Sequence, residues 1–257
     1  MSKRIYINEI EPQISELVIN QPHKRNALSA AMWQELPEIL AKAAENADLR
    51  VLIIRGEGDH FSAGADISEF GELYATLESA DMTSENMAKG FKALANFPRP
   101  TIAAIQGSCV GGGAGIALCV DIRIADTTTK MAITPAKLGL VYPYTETQRL
   151  IEAVGIPNAK DLLFTARKVG GEEAKILGLV HAICNPEDLN REVMARAHMI
   201  TALSGEAIKT MKSMIGSYQA GQRGDNNETV RQFYDAFGSN DFNEGRTAFL
   251  EKRKPQF

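Results

Sequence analysis

The chain is poor in residues that bind metals or form disulfides. Its 257 residues include three cysteines, none in a CxxC pair, namely Cys109, Cys119 and Cys184. An odd count with no metal-type cluster argues against a disulfide framework and favours reduced thiols, as in the cytoplasm. Its four histidines are scattered and do not pair at ligand spacing. We therefore expect no bound metal.

The chain also lacks a strong excess of charge of either sign. It has 28 basic and 32 acidic residues, a net charge of -4, so we expect neither a nucleic acid nor a membrane surface as partner. The first ten residues contain no apolar core of a secretory signal. Residues 101–120 are uncharged but contain five glycines, which favours a buried strand, a tight turn and a buried helix over a membrane span.

Three motifs that commonly explain a glycine-rich turn are missing. No GxxxxGK[ST] phosphate loop is present, and the glycines at 111, 112, 113 and 115 have the wrong offsets for a GxGxxG dinucleotide motif. No GxSxG nucleophile elbow occurs either. The run GGGAG in residues 111–115 therefore needs another purpose.

Apolar runs alternate with helical spacing along most of the chain, which predicts an α/β fold. The predicted strands are residues 14–20, 51–55, 101–106, 120–126 and 179–184. From about residue 191 the pattern is helical only, so we divide the chain into a core of residues 1–195 and a helical region of residues 196–257. The polar residues 74–90 predict a mobile loop or a loose helix beside a site.

Two segments share the order strand, small-residue turn, helix: FSAGADISEF from residue 61 and GSCVGGGAGIA from residue 107. Backbone N–H groups at a helix start lack partners within the helix, and small residues let a ligand oxygen approach them. Two such groups facing one point form an oxyanion hole. Close packing of helix against strand also needs glycine, and spacing alone leaves both interpretations open.

Several segments resemble the crotonase family, also called the enoyl-CoA hydratase/isomerase family. They are KRNALS (24–29), FSAGADI (61–67), GGGAGIAL with a later aspartate (111–121), LGL (138–140), TQRL (147–150) and FLEKRKPQF (249–257). The resemblance implies a spiral of β-β-α units followed by C-terminal helices that assemble trimers or hexamers. It also implies an acyl-CoA thioester as substrate, with coenzyme A as part of the substrate and no separate cofactor.

Carried onto this sequence, the resemblance places the oxyanion hole at the N–H groups of Ala65 and Gly112. It implies a wider substrate-binding set comprising Lys24, Arg25, Ala27, Ala63, Asp66, Ile67, Gly111, Gly115, Ala136 and Lys252. The CoA adenine is expected near residues 63, 66 and 67. The three basic residues are expected near the phosphates, although solvated surface charge remains an alternative for each.

The sequence departs from the family at both acid–base positions. Hydratases of this family carry two glutamates, where this chain has Gly115 and Ala136. Because hydration needs one group to activate water and another to deliver a proton, conventional hydratase activity is not expected.

Thr134 and Tyr142, in TPAKLGLVY, resemble the methylmalonyl-CoA decarboxylase branch of the family. Loss of CO2 generates an enolate without a base, and a neutral pocket avoids repelling a substrate carboxylate. We therefore expect malonyl-type decarboxylation, with Thr134 and Tyr142 orienting the carboxylate. A packed aromatic is the alternative for Tyr142.

Glu146 supports a different interpretation. It stands in the turn before a helix, where it is either a relocated acid–base group for hydration or isomerisation, or an acidic residue favoured at a helix N-terminus. A third hypothesis is a protein that binds acyl-CoA without turnover.

Overall fold

A large, mostly parallel sheet forms the centre of the computed structural model, which describes residues 3–257. Its strands run in the order β1-β2-β3-β4-β6-β9, and all neighbours are parallel except the antiparallel pair β1 and β2. Their bounds are β1 Ile5–Glu11, β2 Ile14–Ile19, β3 Val51–Gly56, β4 Thr101–Ile105, β6 Ile122–Asp126 and β9 Ala182–Cys184. A smaller sheet has the order β5-β7-β8, with β5 Ser108–Val110, β7 Lys130–Ala132 and β8 Val169–Gly170.

Ten helices surround these sheets within the described residues. They are α1 Ala30–Ala44, α2 Phe70–Leu73, α3 Leu77–Ala95, α4 Gly112–Cys119, α5 Tyr144–Thr165, α6 Gly171–Leu177, α7 Leu189–Thr201, α8 Gly205–Gln219, α9 Asn227–Asp235 and α10 Asn240–Glu251. Gly155 breaks α5 with φ 75°, so α5 is two helices joined at a kink. Within residues 3–257, no helix combines the length and the apolar character needed to span a lipid bilayer.

The central strands are covered on both faces, which explains their continuous apolar runs. One face packs against α1, α3 and α4 in a core that includes Leu52, Ile54 and Trp33. On the other face, Ile53 and Ile102 pack with residues of α7. The predicted α/β class is therefore confirmed. The chain repeatedly runs from a strand of the large sheet to a strand of the small sheet and then into a helix.

That path repeats around the glycine run. From β4 in the large sheet the chain passes to β5 in the small sheet and then enters α4. From β6 it passes to β7 and, through a 3-10 turn at Pro135–Leu138, to α5. The first passage places the start of α4 directly after β5 of the small sheet, and the first N–H groups of a helix have no partners within it.

Most of the polar segment 74–90 is helical, since α3 begins at Leu77, and of the two predicted alternatives the structure shows the helix. Thr76 and Ser79 form a reciprocal capping box that starts α3, and Phe91 and Leu94 are buried on its inner face. The polar residues cover the outer face, so the apolar stripe is sparse and the sequence alone did not decide between loop and helix.

The C-terminal region is helical, as the sequence indicates, but α7 crosses the proposed boundary between residues 195 and 196. Because α7 packs against the large sheet, its second half belongs structurally with the core. Next along the chain, α8 is tied to the core by Lys212, whose Nζ lies 2.6 Å from the carboxylate of Asp121. The division into two regions stays a prediction.

Candidate active site

The two glycine-rich turns meet backbone to backbone. Ser62 in the first turn forms a β-bridge with Cys109 in the second. Gly64 has φ 96°, and a Cβ built on it would lie 2.8 Å from the nitrogen of Gly112 and 2.7 Å from the carbonyl oxygen of Val110. Only glycine satisfies both the positive φ and this approach. The meeting of the turns therefore depends on Gly64.

The N–H groups of Ala65 and Gly112 are free and adjacent. On either side of Ala65, Gly64 and Asp66 hydrogen-bond to Leu28, which turns the Ala65 N–H to the opposite side. Gly112 is the first residue of α4, so its N–H has no partner within the helix.

Across residues 3–257, neither N–H donates a hydrogen bond, and a Cβ built on Gly112 would lie 3.4 Å from the Ala65 nitrogen. The structure thus brings together the two predicted donors of the oxyanion hole. Close packing is also present, because a Cβ on Gly113 would strike the carbonyl of Ser62. The glycine run therefore combines a free N–H group, at Gly112, with close packing, at Gly113.

No space for a carboxylate exists beside Gly115. A Cβ built there would lie 2.9 Å from ring atoms of Phe91 and 3.4 Å from the Tyr142 hydroxyl oxygen. Ala136 lies in the 3-10 turn Pro135–Leu138 and is exposed. The two positions where hydratases of this family carry glutamate are therefore a packed contact and an exposed methyl group.

Tyr142 is the polar side chain placed best to act at this site. It is 9% exposed, and its hydroxyl oxygen is buried with no hydrogen-bond partner in the described chain. Burial raises the pKa of this hydroxyl, so it stays neutral and able to donate. On the other side of the glycine run, Thr134 Oγ1 lies 3.7 Å from a Cβ built on Gly111.

Glu146 is buried near the start of α5, where its carboxylate pairs with Arg149 at 3.3 Å. Burial raises the pKa of this carboxyl despite the Arg149 charge. No hydrogen bond joins Glu146 to Tyr142, whose hydroxyl has no partner in the part of the chain described. The Glu146 carboxylate is therefore already paired with Arg149 and makes no hydrogen bond to Tyr142.

The residues expected to bind CoA form a second cluster around Lys24. Its Nζ lies 2.6 Å from Asp66 Oδ2 and 3.0 Å from Ser68 Oγ. Burial alone would raise the pKa of Asp66. Hydrogen bonds from Lys24 and Ser68 outweigh this effect and hold the pKa below its usual value. Next to this pair, Ile67 is 59% exposed, an apolar surface beside a charged group.

The remaining members of the predicted set take different positions. Arg25 is exposed, and its carbonyl accepts a hydrogen bond from the N–H of Ala63, while the carbonyl of Ala27 accepts one from Gln21. Lys252 is the exposed left-handed C-cap of α10, and its ammonium makes no ion pair within residues 3–257. The single protomer thus assembles the Lys24 cluster without Lys252.

The sequence did not reveal two aromatic residues that wall the site. Trp33 of α1 lies against the start of α4, with Cζ2 3.2 Å from a Cβ built on Gly112. Phe91 of α3 packs against Trp33 with ring centroids 4.9 Å apart. Both are buried, and their positions depend on the packing of three helices.

Fold and site together define an α/β protein that presents two free N–H groups to an oxygen at a glycine-rich helix start. The family profile described as "Enoyl-CoA hydratase/isomerase" matches residues 9–257. The "Probable enoyl-CoA hydratase" of Bacillus subtilis is 35% identical over 253 residues, 96% of each chain. The "Crotonyl-CoA hydratase" of Syntrophomonas wolfei is 34% identical over 98% of this chain and 96% of its own.

A crystal structure of a putative enoyl-CoA hydratase/isomerase family protein from Hyphomonas neptunium has a TM-score of 0.96. It shares 39% sequence identity and covers 99% of this chain and 97% of its own. The chain therefore belongs to the enoyl-CoA hydratase/isomerase, or crotonase, family. Members of this family are enzymes that act on acyl-CoA.

The packing around Gly115 makes a stability prediction. Replacing Gly115 with alanine is expected to destabilise the fold by about 1–3 kcal/mol, because the new methyl group overlaps the Phe91 ring. The matched control is Gly71→Ala in α2, where a Cβ meets nothing within 4 Å and the change should be neutral or slightly stabilising. Urea unfolding of both variants measures this, and equal effects would contradict the packing described.

Proposed function

We propose that the protein decarboxylates a malonyl-type acyl-CoA thioester of the methylmalonyl-CoA class. The observation that carries this proposal is the Tyr142 hydroxyl, buried and without a partner beside Gly115. The CoA moiety is proposed to lie along Lys24, Ala63, Asp66 and Ile67, and no separate cofactor is invoked.

The site suits a reaction that needs an oxyanion hole and no base. When the bond between the α-carbon and the carboxylate breaks, CO2 leaves and its electron pair forms the thioester enolate. The N–H groups of Ala65 and Gly112 stabilise the enolate oxygen. A carboxylate at residue 115 or 136 would repel the substrate's own carboxylate, and this chain has neither.

The roles of Thr134 and Tyr142 follow from their neutral hydroxyls. Each donates a hydrogen bond that holds the substrate carboxylate before it leaves. Because burial raises the pKa of Tyr142, its phenol is a weak acid, and a water held by it delivers the proton to the α-carbon. The hydratase names belong to the relatives, and at the two positions where the family resemblance expects glutamate this chain has Gly115 and Ala136.

Release of CO2 from methylmalonyl-CoA tests the proposal. Tyr142→Phe should lower kcat/KM roughly ten- to a hundredfold, the effect of losing one hydrogen bond to a charged group, while propionyl-CoA binds as before. Tyr144→Phe is the matched control, since Tyr144 is 84% exposed. Mass spectrometry of the thioesters follows the reaction, and absence of CO2 from every malonyl-type thioester would exclude decarboxylation.

A second candidate function is favoured by one observation, the raised pKa of buried Glu146. A carboxyl protonated over a wider pH range could serve hydration or isomerisation of an enoyl-CoA. The ion pair with Arg149 and the partnerless Tyr142 hydroxyl weigh against it.

Crotonyl-CoA distinguishes the second candidate. If Glu146 is the acid–base group, loss of the enoyl absorbance should occur with the wild type and fall at least a hundredfold in Glu146→Gln. The control is exposed Glu172→Gln. Because we propose decarboxylation instead, we expect that neither the wild type nor the two variants consume crotonyl-CoA. Tight acyl-CoA binding without any turnover in both assays would instead support the non-catalytic hypothesis.

We also propose that the C-terminal helices assemble a trimer or a hexamer. In the single protomer they expose many large apolar side chains, namely Met211, Ile215, Tyr218, Val230, Phe233, Tyr234, Phe237, Phe242, Phe249 and Leu250. Such a surface marks an interaction site.

Light scattering tests the assembly. The native protein should have the mass of three or six chains, and Phe249→Glu combined with Leu250→Glu should lower it. Leu77→Glu, at an exposed apolar residue of α3, should leave the mass unchanged. A native mass of one chain would contradict the proposal.

A further inference from the structure

Two buried side-chain polar atoms in residues 3–257 have no hydrogen-bond partner, Nε1 of Trp33 and the hydroxyl oxygen of Tyr142. A buried donor without an acceptor costs free energy, so such atoms are rare in folded proteins and call for an explanation. Trp33 is 2% exposed, which places its indole N–H in the interior rather than at a surface.

Both atoms lie along the same helix start. Trp33 contacts it at Gly112, where Cζ2 is 3.2 Å from a built Cβ, and one ring carbon separates Cζ2 from Nε1. Tyr142 contacts it at Gly115, with its oxygen 3.4 Å from a built Cβ. Phe91 touches both places, since its ring packs against Trp33 and Gly115. The three rings therefore pack together along the first turn of α4, next to the predicted oxyanion hole.

The chemistry of these donors restricts the acyl group. An indole N–H donates and never accepts, so Trp33 is satisfied only by an acceptor atom. A plain hydrocarbon chain offers none, whereas a carboxylate offers two acceptor oxygens. We propose that Trp33 is a specificity-determining residue, whose indole N–H binds the acyl carboxylate together with Tyr142. This inference rests on the proposed function and adds a residue to it.

Access to the donors depends on Phe91. Both polar atoms are sealed from solvent, and the Phe91 ring fills the space next to Gly115. The carboxylate therefore reaches them only when this ring turns aside. A smaller side chain at residue 91 should speed substrate entry without adding a hydrogen bond.

Trp33 is the only tryptophan of the chain, so its indole group can be observed alone. The experiment labels the full-length protein with 15N-tryptophan and follows the single indole N–H resonance. The probe is sulfoacetyl-CoA, in which a sulfonate that cannot be lost replaces the carboxylate of malonyl-CoA. We expect it to move the N–H proton downfield, as a new hydrogen bond does. Propionyl-CoA, which lacks an anionic acyl group, should leave the proton near its original position.

Affinity measurements on Trp33→Phe complete the test. The variant should bind sulfoacetyl-CoA about tenfold more weakly, equivalent to about 1.4 kcal/mol, and propionyl-CoA as well as the wild type does. If the variant fails to fold, the NMR comparison on the wild type still decides the matter. Equal indole shifts with both thioesters, or equal loss of affinity for both, would overturn the role of Trp33.

These outcomes are separate from those of the decarboxylation assay. A selective indole shift without CO2 release would retain Trp33 as a carboxylate-binding residue and reject the decarboxylase reaction. CO2 release with no selective shift would retain the reaction and assign the carboxylate to other residues.

Discussion

The site depends on the close approach of two backbone turns, at Gly64 and Gly112. The side chain that any other residue would place at Gly64 would separate the turns, because it would meet both the Gly112 nitrogen and the Val110 carbonyl. The first turn is held by two isolated bridges, from Ser62 to Cys109 of β5 and from Ala65 to Leu28. The fold thereby fixes two N–H groups around one point before any ligand arrives, which is the condition for electrostatic stabilisation of an oxyanion.

Around this preorganised point the side chains are neutral. Gly115 and Ala136 remove the charges that family hydratases carry, and Phe91 occupies the space that one of those carboxylates would need. Glu146 is buried nearby, but its charge is paired with Arg149. An enolate can be held here, while the usual means of moving protons is missing. The proposed decarboxylation is a reaction of this kind, because its substrate creates its own enolate and brings its own carboxylate.

The sequence predicted the parts of the fold and site that are local in the chain. The buried strands were visible as apolar runs, and the small residues around Gly64 and Gly112 marked the N–H groups because backbone donors need no particular side chain. For helix α3 the sequence left a loop and a loose helix open, since only its inner stripe is apolar and the capping box at Thr76 is a short signal. Trp33 was missed for another reason. Packing between helices that are distant in the chain decides whether a buried donor has a partner. The spacing of residues in the sequence carries no information about that packing.

Isotope-edited infrared spectroscopy of bound propionyl-CoA, labelled with 13C at the thioester carbonyl, tests the oxyanion hole most directly. Two hydrogen bonds from Ala65 and Gly112 weaken the carbonyl bond more than bulk water does. The carbonyl band should therefore move to lower wavenumber on binding, and Gly64→Val should abolish the shift. A bound thioester whose carbonyl band stays at its position in water would contradict the central claim.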